Sequence, residues 1–202
     1  MTCRRFASAA VITIVVLAAA GCDRPSGPPP HPLHGLALVE SDLPTGITAF
    51  RSNESQYGTT VTGGTAEPCH TASRNRERSR DGAAVASSSA MKQNIWIRAE
   101  VINVRLAMQN TNVELACDGK AALAPTPEDM LANPPSVLEY RTGNGRLAAM
   151  HGFVDIDGRS VDVFLMNRAL WADEADAPAD TVDPGDFWKV FRAQIAKVEA
   201  AA

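Results

Sequence analysis

Ser89 and Lys92 stand in the stretch Ser89-Ala90-Met91-Lys92. On a helix that S-x-x-K spacing brings a lysine ammonium within one turn of a serine hydroxyl, where it eases deprotonation of the nucleophile. The companion motifs are only echoed. Ser73-Arg74-Asn75 comes before the S-x-x-K instead of after it, and Arg141-Thr142-Gly143 has arginine where lysine is required. In a stretch rich in serine and alanine the match is one of chance, and no serine nucleophile is assigned. G-x-S-x-G, H-E-x-x-H, Walker and dinucleotide signatures are missing from the sequence, so hydrolase and nucleotide-binding readings have no residues to rest on. The expectation is a non-enzymatic protein without cofactor or metal.

Other chemistry-bearing residues have a plainer reading beside the functional one. Asp155-Ile156-Asp157-Gly158 has the look of a calcium loop but lacks a closing bidentate glutamate, and its flanks alternate like a hairpin. Asp173, Glu174, Asp176, Asp180, Asp183 and Asp186 could hold calcium weakly; a solvated loop is the simpler account. His31 and His34 fall in a proline-rich tract and read as solvated, not as metal ligands. Arg74, Arg76, Arg78 and Arg80 alternate with polar residues. They would suit an anionic partner such as phospholipid headgroups or an acidic polymer, or simply form an exposed loop or helix face, which is preferred. His151, Phe153 and Phe164 share one face of an expected hairpin and are the candidate ligand contacts; a packed or solvated histidine is the plain alternative.

The elements that position these residues follow from patterning. Ile95 to Ile102 alternates apolar residues with Arg98 and Glu100, as on a half-buried strand. Val104 to Cys117 leans towards helical spacing. Val137–Arg141, Leu147–Ile156 and Arg159–Met166 read as strands, the last two joined by Asp157-Gly158, a favoured two-residue hairpin turn. That turn pairs Val154 with Val161, Gly152 with Val163 and Met150 with Leu165. On the other face it pairs Phe153 with Asp162 and His151 with Phe164, so neither face is fully polar. Ile47–Phe50 and Thr59–Thr62 are further candidate strands, and Pro68-Cys69 opens a polar connection. Asp183, Pro184 and Asp186 start a C-terminal helix with the apolar stripe Phe187, Val190, Phe191, Ile195 and Val198, leaving Lys189, Arg192 and Lys197 outside. The fold class is α+β: an antiparallel sheet packed against a C-terminal amphipathic helix, with one disulfide.

At the other end, Arg4 and Arg5 precede an apolar run from Phe6 to Ala20 that closes in Ala19-Ala20-Gly21-Cys22. The run is short for a bilayer span, which takes roughly 20 apolar residues. The segment resembles a bacterial lipoprotein signal; an ordinary secretory signal and an uncleaved anchor are the alternatives. The resemblance implies a leader over residues 1–21 and a lipid on Cys22, followed by a proline-rich tether over 22–35. A single extracytoplasmic domain then covers 36–202, on the outer face of the cell membrane. Without Arg4 and Arg5 the chain is more acidic than its net charge of −4, which argues against a nucleic-acid partner. If Cys3 leaves with the leader and Cys22 carries lipid, Cys69 and Cys117 remain in an oxidising compartment. A Cys69–Cys117 disulfide then follows, with two buried free thiols as the alternative.

With Cys22, the opening Ser41-Asp42-Leu43-Pro44-Thr45-Gly46, Pro68-Cys69, Cys117 and the closing Phe191-Arg192-Ala193-Gln194-Ile195-Ala196-Lys197-Val198, the chain resembles small actinobacterial cell-envelope lipoproteins. It is similar in plan to the external sensor domains of mycobacterial serine/threonine kinases, departing from them in having one disulfide and no kinase or membrane span. The resemblance implies a membrane-anchored, sensor-like binding domain. Its partner would be a small apolar, lipid-like or peptide ligand between sheet and helix, or an envelope protein. A structural or assembly accessory protein working through a protein–protein surface is the alternative.

Overall fold

Asp157 and Gly158 take φ values of 48° and 81°, both left-handed, as a two-residue turn matched to strand twist requires. The turn sets the expected register, Val154 to Val161 and His151 to Phe164 included. Around this hairpin the computed structural model, which describes residues 31–58, 66–172 and 181–202, builds an α+β fold. Among the described residues the strands are β1 (Thr48–Gln56), β2 (Ala84–Lys92), β3 (Ile95–Ile102), β4 (Ala121–Leu123), β5 (Ser136–Arg141), β6 (Leu147–Ile156) and β7 (Arg159–Asn167). They form one antiparallel sheet in the order β1-β2-β3-β7-β6-β5-β4. The helices are α1 (Cys69–Arg80), α2 (Ala107–Cys117), α3 (Arg168–Trp171) and α4 (Pro184–Glu199). The candidate strand Thr59–Thr62 lies outside the described residues, as does Cys22.

One sheet face is apolar and meets α4. Ile97, Ala99 and Val101 of β3 and Val161, Val163 and Leu165 of β7 pack with Phe187, Val190, Phe191 and Val198. The Asp183 side chain accepts from the Gly185 amide at 2.8 Å and caps α4. Asp186, in the first turn, pairs with Lys92; Asp173, Glu174, Asp176 and Asp180 of the acidic run lie outside the described residues. Ser89 and Lys92 lie on strand β2, where residues an odd number apart point to opposite faces, so the S-x-x-K pair is split.

The stripe of α4 includes the fully buried Gln194, because the chain from His31 to Leu43 covers the helix from outside. Gln194 Nε2 donates to the Leu36 carbonyl at 2.8 Å, and Leu33, Leu36, Leu38 and Leu43 are all buried. Lys197 and Lys189 donate to the carbonyls of Ala37 and Leu43. Residues 31–35, expected as tether, are therefore docked: Leu33 is 1% exposed, and the His31 ring lies 2.9 Å from the Ser55 carbonyl oxygen. The space between the β6–β7 hairpin and α4, where an apolar ligand was expected, is filled by side chains. A Cβ on Gly152 would sit 2.7 Å from Phe187 Cζ and 3.1 Å from Phe191 Cε2. Gly152→Ala is accordingly expected to destabilise by about 1–3 kcal/mol through overpacking. Urea unfolding checks this, and a neutral result would mean α4 moves away freely.

The opposite sheet face is covered too, by α1 and α2. Residues 69–80 read as a polar connection but form a helix. Arginines two apart on a helix diverge by about 200°. Arg74 and Arg78 thus face outward, while Arg76 and Arg80 turn inward with the buried Ser73 and Glu77. The disulfide joins Cys69 to Cys117, with an S–S distance of 2.02 Å. It ties the first turn of α1 to the end of α2, where the sequence reading has a loop. Helix α2 lacks a local side-chain cap. Instead Asp155 Oδ1, on β6, accepts from the Leu106 and Ala107 amides at 3.1 Å each. That is what the apparent calcium aspartate does. Asp155→Ala should cost about 1 kcal/mol and raise amide exchange first in the opening turn of α2; unchanged protection there would refute the cap.

Candidate functional site

The face of the sheet under α1 and α2 carries a row of charge. Glu100 on β3 stands opposite Asp162 on β7, and Arg98 stands opposite Phe164. On β6, His151 is opposite Phe164 and Phe153 opposite Asp162. Like charges facing each other across strands repel, so Glu100 beside Asp162 requires compensation from above. It comes from the helices and from neighbouring strands.

His151 and Asp162 are almost fully buried. His151 Nε2 lies 2.9 Å from Asp162 Oδ1 and Nδ1 lies 3.5 Å from Glu114 Oε1 on α2. Asn110 Nδ2 donates to Asp162 Oδ2 at 3.3 Å. The Tyr140 hydroxyl donates to Glu114 Oε2 at 2.7 Å and the Tyr57 hydroxyl to Glu100 Oε2 at 2.9 Å. Arg98 reaches Asp162 at 3.6 Å and Glu100 at 3.8 Å. From α1, Arg80 forks onto Glu77 at 2.9 and 2.6 Å and lies over the Tyr57 ring. Arg76 lies 3.6 Å from the same carboxylate. A cavity of about 250 Å³ opens among Tyr57, Arg76, Arg80, Arg98, Glu100, Asn110, Glu114, His151 and Asp162.

Burial alone would push the His151 imidazole down, but the Asp162 and Glu114 carboxylates outweigh it and hold the imidazole above its ordinary range. Burial would push Asp162 up; His151, Arg98 and Arg76 keep it below the usual carboxylate range. Glu114 is also held low against burial by hydrogen bonds from His151 and Tyr140. Glu100 behaves oppositely. Burial raises it more than Arg98 lowers it, so it is the first of these three carboxylates to take a proton as pH falls. Burial and Glu100 together keep Tyr57 a phenol.

Of the three candidate ligand contacts, the structure brings the rings together, with His151 centred 4.2 Å from Phe153 and 4.6 Å from Phe164. They do not line a common apolar site. Phe153 is 1% exposed and packs with Leu138, Tyr140 and Ala149. Phe164 stands edge-on to Trp96 and Trp171. Only His151 borders the cavity, which is polar where an apolar pocket was expected. Missed were Tyr57, Asn110 and Glu114; Arg76 and Arg80, weighed for an anionic partner but preferred as exposed, face inward. The available signal was Arg98, Glu100, His151 and Asp162 interrupting strands that are otherwise apolar on both faces, the mark of a covered polar layer. No protein-family model, curated protein or solved structure matches the chain.

Proposed function

We propose that this protein is a lipid-anchored, non-enzymatic binding domain on the extracytoplasmic face of the cell membrane. Its ligand is small and polar and occupies the charged cavity under α1 and α2. The observation that carries this reading is the cavity itself: about 250 Å³ of space at the interface of a helix pair and a sheet, walled by arginines, carboxylates and a histidine. The Cys69–Cys117 bond is consistent with an oxidising compartment, and the leader-like segment over residues 1–21, just ahead of Cys22, supports export and anchoring. A binding role suits the groups better than catalysis, because they are engaged with one another. Both nitrogens of His151 face carboxylates, and Asp162 and Glu114 each have two partners. Exposed Met108 and Leu115 on α2 favour, as a second reading, an accessory protein of the cell envelope that docks a partner protein there.

Mass spectrometry of the native protein extracted from membranes tests the first reading. The expected result is an acylated Cys22, an intact Cys69–Cys117 bond and a small polar molecule released on denaturation. Cytosolic, unacylated protein with reactive thiols at 69 and 117 would overturn it.

A further inference from the structure

We infer that the cavity under α1 and α2 is an anion site, in which Arg76 and Arg98 hold the oxygens of a small carboxylate- or phosphate-bearing ligand. This rests on the binding reading above and names its ligand class. Hydrogen-bond accounting in the cavity wall is lopsided. Most acceptors are provided for: Asp162 by His151 and Asn110, Glu114 by Tyr140, Glu100 by Tyr57, and Glu77 Oε2 by Arg80. The exception, Glu77 Oε1, makes no hydrogen bond among the described residues but lies between the Arg80 and Arg76 guanidiniums.

The donors are not. A guanidinium carries five N–H groups and no acceptor, yet the buried Nε atoms of both Arg76 and Arg98 have no hydrogen-bond partner among the described residues. The ion pairs of these two side chains are long, 3.6 Å from Arg76 to Glu77 and 3.6 and 3.8 Å from Arg98 to Asp162 and Glu100. A buried donor left unmade is costly and calls for an acceptor. Two planar donor forks bordering one cavity match carboxylate or phosphate oxygens, which arginine binds in pairs.

Charge permits this. Arg76, Arg80, Arg98 and the His151 imidazolium face Glu77, Glu100, Glu114 and Asp162. The wall is therefore close to balanced in charge, and burial, which raises Glu100 above its ordinary value, makes it the carboxylate least opposed to an incoming anion. The contacts of Arg98 with the Trp96 and Phe164 rings, 5.6 and 5.9 Å from their centroids, keep its guanidinium oriented, with only the long ion pairs to Glu100 and Asp162 at its edge.

The test is a thermal-unfolding titration of the full-length, detergent-solubilised protein with inorganic phosphate and, separately, acetate, against chloride at equal ionic strength. A saturable rise in Tm with either anion is expected, the stronger of the two assigning the ligand's head group. Arg76→Gln and Arg98→Gln should each weaken that binding at least tenfold, while Arg78→Gln, on the outer side of the same helix, should leave it unchanged. If Arg98→Gln does not fold, Arg76→Gln decides. A Tm that follows ionic strength alone, or wild-type binding in Arg76→Gln, overturns the inference. Should native mass spectrometry meanwhile find a bound neutral molecule, the binding reading stands and only the anion assignment falls. Were no bound molecule found either, both would fall.

Discussion

Asp162→Ala is expected to lose about 3–5 kcal/mol, because it strips the nearer counter-charge from the buried His151 ring and leaves only Glu114, at 3.5 Å, to face it. Asp162 lies at 6% exposure, with His151 at 2.9 Å, Asn110 at 3.3 Å and Arg98 at 3.6 Å. Its removal strands three donors at once. The loss should change with pH in a defined way. His151 is held above its ordinary 6.5, so its contribution is complete below 6.5 and disappears as pH rises through the folded value. Asp162 and Glu114 are held below 3.8 and 4.5. Their contributions are complete above those values and disappear as pH falls through the folded ones. Glu100, raised above 4.5 by burial, adds a decline as pH climbs from 4.5 through its folded value. Wild-type stability should therefore be greatest in the weakly acid range and fall on both sides. In Asp162→Asn the alkaline limb should flatten, since the imidazole loses its nearest anion. Guanidinium unfolding from about pH 2 to 9 measures both effects. A loss below about 1 kcal/mol in Asp162→Ala, with the pH profile intact, would show that the cluster is not held together by charge.

The second large effect is expected at the disulfide. Cys69 and Cys117 are 48 residues apart, and opening a loop of that size restores about 4 kcal/mol of chain entropy to the unfolded state. The Cys69→Ser, Cys117→Ser double variant should lose stability on that order. The damage should also be uneven. Helix α1 meets the sheet through Arg76, Glu77 and Arg80 instead of through an apolar stripe, so once unstrapped it has little hydrophobic burial to keep it in place. Hydrogen exchange should accelerate first in α1 and the last turn of α2, while β3, β6 and β7 stay protected by α4. Uniform acceleration across the sheet would show that the helix pair and the sheet open as one unit.

Strands β3, β6 and β7 and helix α4 were legible because each carries an apolar periodicity with a local punctuation mark. Asp157-Gly158 fixes the hairpin register, and Asp183-Pro184 fixes the start of α4. Helix α1 was not legible, since its inward face consists of Ser73, Arg76, Glu77 and Arg80. A helix that buries charge against charge has no apolar stripe to reveal it. The same reason hid the site. Arg98, Glu100, His151 and Asp162 could be placed on one face of the sheet from alternation alone, but the residues that complete them come from distant segments. Glu114 and Asn110 arrive through α2, Arg76 and Arg80 through α1, and Tyr57 from beyond β1.

By itself, then, the sequence determined the α+β class, the hairpin pairing, the capped terminal helix and the Cys69–Cys117 bond. Tertiary structure alone decided that the second sheet face is covered, that Leu33 joins the core, and that the cavity is polar and lies away from α4. The physical reason is that periodicity encodes which side of a segment avoids water. It does not say which partner supplies the counter-charges for polar groups that are buried as well.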